Sequence, residues 1–280
     1  MTNKGINSLG VNSGRLILTL FLFLIAVLTL MPFYWMLIMS THSTIDIFSK
    51  PSLLPGNHIA QNFKSILDVN FFGAFLNSIY TAVSSMMLTI FFSSMAGFAL
   101  SKYNFRFKNV LFVFIIATML VPQEVGLVAY VWEMRMLGLS KTLLPLILPH
   151  IANAFGVFWM KQYMEESVPY EIMESGWVDG CNDFRIFVQL VLPIVKPALF
   201  TLAVIAFMAS WNSYMLPLVI INKPSLYTIP IAIGLVGTWY LPDYGARILG
   251  VVLGIAPLLL IFIFASKVIT RGLTAGAVKG

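Results

Sequence analysis

Charge is scarce in this sequence. Only 10% of its 280 residues are charged and 59% are hydrophobic, whereas soluble domains average about 25% charged residues. A soluble fold of this composition would expose large apolar patches to water. The composition therefore argues against a soluble protein and indicates one whose main solvent is the lipid bilayer.

Cysteine is also scarce, and the common catalytic motifs are missing. Cys181 is the single cysteine, so the sequence offers neither an internal disulfide nor a cysteine-rich metal framework. It contains no G-x-x-x-x-G-K-[ST], no H-E-x-x-H and no G-x-S-x-G pattern. We therefore expect no catalytic residue, no metal site and no cofactor in this chain.

Long hydrophobic runs are what the sequence has instead. A membrane-spanning helix needs about 20 apolar residues, and a backbone inside lipid must bond within its own segment, so such runs are helical. The first run is too long for a signal-peptide core, and no small-residue cleavage site follows it. The sequence predicts an all-α membrane protein with six spanning helices, at about 15–39, 73–100, 109–132, 143–163, 197–221 and 247–269.

The basic residues predict an orientation. Lys and Arg stand in small groups between the apolar runs, without the dense basic runs of nucleic-acid binding, so no nucleic-acid partner is expected. Alternate connections hold 11 and 6 of the 17 Lys and Arg residues, and the richer set belongs in the cytoplasm. We expect cytoplasmic tails at 1–14 and 270–280, an extracytoplasmic loop at 40–72 and a cytoplasmic loop at 164–196.

That cytoplasmic loop gathers the scarce acidic residues, six of eleven falling between Glu165 and Asp183. Pro169 suits a helix start, Gly180 suits a left-handed helix end, and Asn182 or Asp183 suits the cap of a second helix. The pattern predicts a helix, a sharp turn and a helix. Because so short a first helix is marginal in water, it needs packing, in a partner's groove or on lipid headgroups. Its acidity disfavours the negative inner leaflet.

One motif in this loop resembles a known family. It consists of Glu174-Ser175-Gly176, then Gly180, then Leu190 to Pro193. It is similar to the E-A-A, G and I-x-L-P loop of bacterial ABC importer permeases, with Ser175 and Gly176 in place of the alanines. The extra glycine is expected to loosen the helix by about 1 kcal/mol. Three further stretches resemble maltose- and glycerol-3-phosphate-type carbohydrate permeases, at 146–164, 210–220 and 271–280.

The resemblance implies an architecture, a location and a set of partners. The fold would be the type I ABC importer transmembrane fold, with its core at 73–269, in a bacterial cytoplasmic membrane. The chain would pair with a second permease subunit as a heterodimer, with two copies of a cytosolic ABC ATPase and with an extracytoplasmic sugar-binding protein. ATP and Mg would bind the ATPase, and this chain would move a sugar or oligosaccharide.

The resemblance also implies roles within the loop. Residues 169–180 would form the coupling helix that sits in a cleft of the ATPase, with Glu174 making a polar contact there. Asp179 and Asp183 could equally be simple helix caps. The expected ATPase-coupling residues are Glu171, Glu174, Ser175, Gly176, Asp179, Gly180, Arg185 and Pro193.

Candidates for the substrate path are fewer. An ionisable residue inside a span is a functional candidate by default, which singles out Glu124. Asn153 and Asn212 could bond sugar hydroxyls, and Trp211 and Tyr214 offer flat faces to sugar rings. The alternative for these polar side chains is that they hold neighbouring helices together.

Two other functions stay open. The same machinery could carry glycerol-3-phosphate, a peptide or an amino acid. A more remote alternative is an intramembrane enzyme using Glu124 or His150, which would need a paired nucleophile or a metal cluster that the sequence does not display.

Overall fold

The computed structural model describes residues 6–49, 52–238 and 240–277, and within these ranges the regular elements are helices. A single isolated β-bridge joins Gly237 and Pro242. Short 3₁₀ turns lie at Gln123–Gly126, Leu148–Ala152 and Pro224–Leu226. The α-helices are α1 Ile6–Met39, α2 Thr44–Ser49, α3 Ile59–Asp68, α4 Phe71–Lys102, α5 Lys108–Thr118, α6 Leu127–Met136, α7 Leu144–Ile147, α8 Ala154–Ser167, α9 Tyr170–Val178, α10 Asp183–Ile186, α11 Leu192–Ile194, α12 Lys196–Trp211, α13 Met215–Ile220, α14 Ile229–Leu235 and α15 Tyr244–Ala277.

Three described segments are long and apolar enough to cross a membrane as single helices. They are Gly14–Met39, Phe71–Lys102 and Tyr244–Ile263. A fourth qualifies as a bent pair, in which Asp183–Ile194 meets Lys196–Trp211 at 83°. The most apolar window of the first segment has no buried residue within the chain, so its whole surface needs lipid or another subunit around it.

The other predicted spans are broken, which corrects the expectation of single helices at 109–132, 143–163 and 197–221. In the predicted span 109–132 the first helix is α5, whose eleven residues extend only ~16 Å at 1.5 Å per residue, too short to cross a bilayer. Proline explains the break, because its ring clashes with the carbonyl four residues earlier. Pro122 stands four residues after Thr118, the last residue of α5, and Pro217 stands four residues after Ser213, which lies in the gap between α12 and α13.

The predicted tails are helical over much of their length. The first helix begins at Ile6, inside the expected tail 1–14, and α15 runs to Ala277 through most of the expected tail 270–280. Residues 1–5 and 278–280 lie outside the described part of the chain. Apolar spans here continue as helix beyond their apolar ends, because polar residues near a membrane surface can still form helical hydrogen bonds.

The contacts divide the chain into two compact units, and the first joins the described residues up to Val69 with Leu235–Leu253. Asn62 is buried on α3 and donates from Nδ2 to the carbonyl oxygens of Ser40 (2.8 Å) and His42 (2.9 Å). These bonds tie the end of α1 to α3. About half of the connection 40–72, predicted as an outer loop, is helical.

The second unit, residues 70–234 and the chain from 254 on, is built around α4. Small residues on a membrane helix let neighbouring backbones approach closely. The helices α8 and α12 both pack on α4, and the indole Nε1 of Trp159 on α8 donates to the carbonyl of Ala198 on α12 at 3.1 Å. The buried stripe of small α4 residues includes Ser85, Thr89 and Ser93.

Gly97 marks the closest approach of α4 to α8. A Cβ at this position would lie 2.7 Å from Met160 Cβ and 2.8 Å from the backbone N of Lys161, so α8 itself would have to shift. We expect Gly97→Ala to reduce the free energy of unfolding by about 1–3 kcal/mol, the usual cost of overpacking. Thermal unfolding of the detergent-solubilised protein measures this.

Gly126→Ala is the matched control, because a Cβ at Gly126 meets nothing within 4 Å. Its unfolding midpoint should stay close to that of the parent. Equal midpoints for the two variants would contradict the close packing of α4 on α8.

Candidate functional site

The acidic loop forms the predicted short helix. Pro169 has φ −59° and ψ 148° and immediately precedes α9, so α8 and α9 are joined by two non-helical residues. Met173 is fully buried and Glu171 and Glu174 are exposed. The helix thus turns an apolar side toward the protein and a carboxylate-bearing side away from it.

The end of α9 is a closed hydrogen-bonded turn built on Gly180, as the sequence predicts. Gly180 has φ +75°, a conformation that costs other residues energy. Its N–H donates to the carbonyl of Trp177 (3.0 Å), and the N–H of Cys181 donates to the carbonyl of Gly176 (2.9 Å). This pair of bonds defines the Schellman motif, which fixes the direction in which the chain leaves α9.

The cap of the next helix is Asn182, which settles one alternative left open by the sequence. Its Oδ1 accepts from the N–H of Arg185 at 2.8 Å. Asp183 instead accepts from the indole Nε1 of Trp177 at 2.9 Å, across the turn. Burial raises the pKa of Tyr103 well above its usual range, and the nearby Asp183 carboxylate raises it further. The phenol beside the turn therefore stays neutral at physiological pH.

Gly176 does more than loosen α9. A Cβ there would lie 2.7 Å from Ile186 Cγ1 and 2.9 Å from its Cδ1. The absence of a side chain thus allows α10 to pack directly against α9. Glycine at this position, where the related motif has alanine, is matched to the bulk of Ile186.

The loop is joined to the transmembrane helices through one apolar cluster. After α10 the chain continues as a π-helical turn, Phe187–Val191, before α11 and α12. The cluster is continuous from α4 and α8 through α9 to α12. It comprises Phe98, Met160, Met164, Val168, Met173, Ile186, Phe187, Val191, Val195, Ala198 and Leu202.

Two lysines that the sequence analysis missed complete the attachment. The Nζ of Lys102, in the last turn of α4, donates to the carbonyl of Val168 at the end of α8. Lys161 on α8 contacts both carboxylate oxygens of Glu165 at 2.7 Å and lies 4.3 Å from the Phe112 ring centroid. In the sequence each of these residues is a lysine near the end of an apolar run. That position alone does not show which group the lysine contacts.

The remaining predicted coupling residues are local in their contacts. Ser175 donates from Oγ to the carbonyl of Ile172 (3.1 Å), and Arg185 donates from Nε to Gln189 Oε1 (3.0 Å). Pro193 lies exposed in α11. These side chains leave the outer surface of the loop open.

That outer surface combines carboxylates with apolar side chains. Asp179 is exposed, as are Glu171 and Glu174, and none of these three forms an ion pair within the described residues. Val178 is 87% exposed and Phe184 is 60% exposed. Such a surface fits a partner groove with apolar walls and basic groups better than it fits water.

Two of the five substrate-path candidates serve the packing of helices. Trp211 is buried, stacks on Phe207 and donates from Nε1 to the carbonyl of Gly254 at 3.1 Å. Asn153 caps α8 by accepting from the N–H of Gly156 at 2.6 Å. The Trp211 bond joins two segments of the chain, whereas the Asn153 bond lies within the first turn of α8.

The other three candidates are exposed at helix breaks. Glu124 lies in the 3₁₀ turn between α5 and α6, and Asn212 and Tyr214 lie between α12 and α13. Within the described residues no hydrogen bond joins Glu124 to either of the other two. The structure therefore leaves these side chains available without bringing them together.

Apolar helices of spanning length, breaks within other apolar runs and a packed acidic helix are consistent with the membrane-embedded subunit of a transporter. The chain belongs to the family described as "Binding-protein-dependent transport system inner membrane component", whose profile matches residues 89–275. The resemblance seen in the loop motif is thereby confirmed, and with it the location in the inner membrane.

Relatives and a solved structure agree with this assignment. The chain is 32% identical over 275 residues to the arabinooligosaccharides transport system permease protein AraQ of Bacillus subtilis, covering 95% of this chain and 96% of AraQ. It is 29% identical to the lactose transport system permease protein LacG of Rhizobium radiobacter, covering 91% and 93%. A crystal structure of a bacterial ABC transporter involved in import of the acidic polysaccharide alginate matches with TM-score 0.74 and 22% identity, covering 95% and 98%. The type I ABC importer permease fold is confirmed.

A double-mutant cycle tests the fit between Gly176 and Ile186. We expect Gly176→Ala to destabilise the protein by about 1–3 kcal/mol through overpacking. In the Ile186→Ala background the same change should cost less, because the atoms that the new methyl group would contact are gone. The difference between the two costs, which is the coupling free energy of the two residues, should be about 0.5–3 kcal/mol. Denaturant unfolding measures all four proteins.

Ser175→Ala serves as the control within the same helix, since Ser175 is exposed and such changes usually stay within about 0.5 kcal/mol. Strictly additive effects of Gly176→Ala and Ile186→Ala would show that the two residues do not contact.

Proposed function

We propose that this chain is the permease subunit of an ATP-driven importer that moves a sugar or oligosaccharide across a bacterial cytoplasmic membrane. The observation that supports it best is α9, a short helix locked onto the transmembrane core with its carboxylates free. AraQ and LacG each match over more than nine-tenths of this chain, and the saccharides in their names support a saccharide substrate.

The proposed topology keeps six membrane crossings with both termini in the cytoplasm. Three crossings are the helices Gly14–Met39, Phe71–Lys102 and Tyr244–Ile263. The others are broken crossings, in which short helices on either side of a proline-linked gap together provide the length. The charge asymmetry of the connections supports this orientation, which puts α9 in the cytoplasm.

The proposed partners follow from the family. The chain pairs with a second permease subunit, and two copies of a cytosolic ABC ATPase bind the cytoplasmic side of this pair. An extracytoplasmic sugar-binding protein delivers the substrate. ATP and Mg bind the ATPase. A ligand drives a transition only by interacting differently with two states, so the closed ATPase dimer must contact α9 differently from the open one.

Within the loop, each residue has a distinct proposed role. Glu174 and Glu171 make polar contacts with the ATPase, and Asp179 and Arg185 support them at the turn. Gly180 sets the direction of the chain, as its φ of +75° requires. Since α9 shares its apolar cluster with α4, α8 and α12, displacing α9 displaces the transmembrane helices.

The proposed substrate path uses the helix breaks. Irregular backbone at membrane depth is tolerated where it is covered by protein or lines a water-filled cavity. Glu124, Asn153 and Asn212 each lie at such a break. Glu124, Asn212 and Tyr214 are the proposed sugar contacts, whereas Asn153 and Trp211 shape the path through their packing.

Charge reversal at Glu174 tests the coupling role. We expect Glu174→Lys to reduce recovery of the ATPase with the affinity-tagged permease by at least about thirtyfold, because removing one partner of a buried charged contact costs about 2–5 kcal/mol in other complexes and each 1.4 kcal/mol is about tenfold. The permease itself should remain in the membrane fraction. The measurement is co-purification, followed by ATPase activity stimulated by sugar and binding protein in nanodiscs.

Asp68→Lys is the control, an equal charge reversal at an exposed residue of α3. Normal recovery of the ATPase with Glu174→Lys would contradict the coupling role. Full assembly without any stimulation by saccharides would leave the coupling role intact and argue against a sugar substrate.

Neutralisation of Glu124 tests the substrate path separately. We expect Glu124→Gln to lower the uptake of labelled saccharide several-fold while assembly with the ATPase stays normal, because an exposed carboxylate within a span is a substrate contact in this proposal. Glu133→Gln, on the neighbouring helix α6, is the control. Unchanged uptake by Glu124→Gln would remove Glu124 from the path.

A further inference from the structure

A basic cavity lies in the second unit, away from the coupling loop. Its volume is about 760 Å³, within the range of small-molecule sites. Three of its six lining residues are cations and none is acidic. The lining residues are Arg135, Gly138, Ser140, Lys141, Asn222 and Lys223.

The first wall of the cavity is fixed by the end of α6. Gly138 has φ +71°; its N–H donates to the carbonyl of Arg135 (3.1 Å), and the N–H of Leu139 donates to the carbonyl of Met134 (2.9 Å). This Schellman motif places the turn through Lys141. Leu139 packs against the apolar cluster that contains Met134, so the turn cannot swing freely.

The second wall is anchored on the same cluster. Ile221 is 4% exposed and belongs to the cluster of Met134. Asn222 and Lys223 directly follow Ile221 and line the cavity from the other side. The two walls are therefore held in a defined relation, and each contributes cationic residues to the lining of the cavity.

The polar groups of this cavity lack partners. The hydroxyl of Ser140 is buried and has no hydrogen-bond partner within the described chain. Arg135, Lys141 and Lys223 form no ion pair there either. Converging cations repel one another unless an anion lies between them. A phosphate group suits the site, because it accepts charge-assisted hydrogen bonds from arginine, lysine and hydroxyl donors.

The surroundings of the cavity indicate a lipid as the source of that phosphate. Trp132 is 65% exposed, Met136 69% and Leu137 61%, all on the helix and turn that carry Arg135. Bulky apolar side chains beside basic ones mark the headgroup level of a bilayer, where tryptophan is enriched and long cationic side chains reach the polar layer.

We propose that this cavity binds the phosphodiester headgroup of an anionic glycerophospholipid such as phosphatidylglycerol. Arg135 holds the phosphate in a bidentate manner, Lys141 and Lys223 add point charges, and Asn222 and the Ser140 hydroxyl bond the remaining oxygens. The site is independent of the proposed transport function.

The test uses the full chain, exchanged into nanodiscs of equal parts phosphatidylglycerol and phosphatidylcholine. We expect native mass spectrometry to find phosphatidylglycerol retained by the parent. In the variant Arg135→Gln/Lys141→Gln/Lys223→Gln its retention should fall about tenfold, because charge-assisted bonds to phosphate are strong. The variant Lys64→Gln/Arg106→Gln/Lys108→Gln removes equal charge outside the cavity and should retain the lipid.

Two further measurements keep the test decisive. Arg135→Lys keeps the charge but loses the bidentate geometry, so it should lower lipid retention without lowering the thermal midpoint, even if the triple variant fails to fold. Added inorganic phosphate should not displace the lipid. The proposal would be overturned if the parent retained both lipids equally or if both triple variants lost the lipid equally. It would also be overturned if Arg135→Lys retained as much lipid as the parent, or if free phosphate displaced the lipid. The proposal would fail as well if the cavity triple variant lost the stimulation of ATPase activity by the binding protein while its lipid retention stayed unchanged.

Discussion

The burial of the inner side of the acidic loop is the interaction on which the rest depends. A helix of nine residues is marginal in water on its own. Met173, Ile186 and Val191 have no exposed surface, and fully burying side chains of this kind contributes about 1.5–3 kcal/mol each. The loop is therefore held in one position by the same apolar cluster that holds α4, α8 and α12 together.

Polar contacts at the helix ends make this attachment directional. Lys102 bonds the carbonyl of Val168 at the end of α8, while Gly180 and Asn182 fix the turn from α9 to α10. A force on the outer side of α9 thus reaches α4 and α8 through packed side chains and short bonded turns. Close-packed interiors deform little and transmit strain, which suits the proposed role of α9 in passing motion from an ATPase to the transmembrane helices.

The membrane segments differ in whether proline interrupts their helices. The continuous helices α1, α4 and α15 supply length, and Pro257 is accommodated within α15 without ending it. By contrast, the segments around Pro122, Pro149 and Pro217 change conformation. These gaps place polar side chains inside otherwise apolar runs, which is what the proposed substrate path requires.

The sequence by itself determined the helical class, the family and the turn at Gly180, because composition, apolar run length and a glycine that must adopt positive φ are local properties. It could not decide which spans are continuous, since proline kinks one helix and ends another according to what covers the freed carbonyl. Nor could it show that Gly176 faces Ile186, that Trp211 bonds Gly254 or that Lys102 bonds Val168. Those pairings join residues from separate elements, and only the packing of the helices brings them within contact distance.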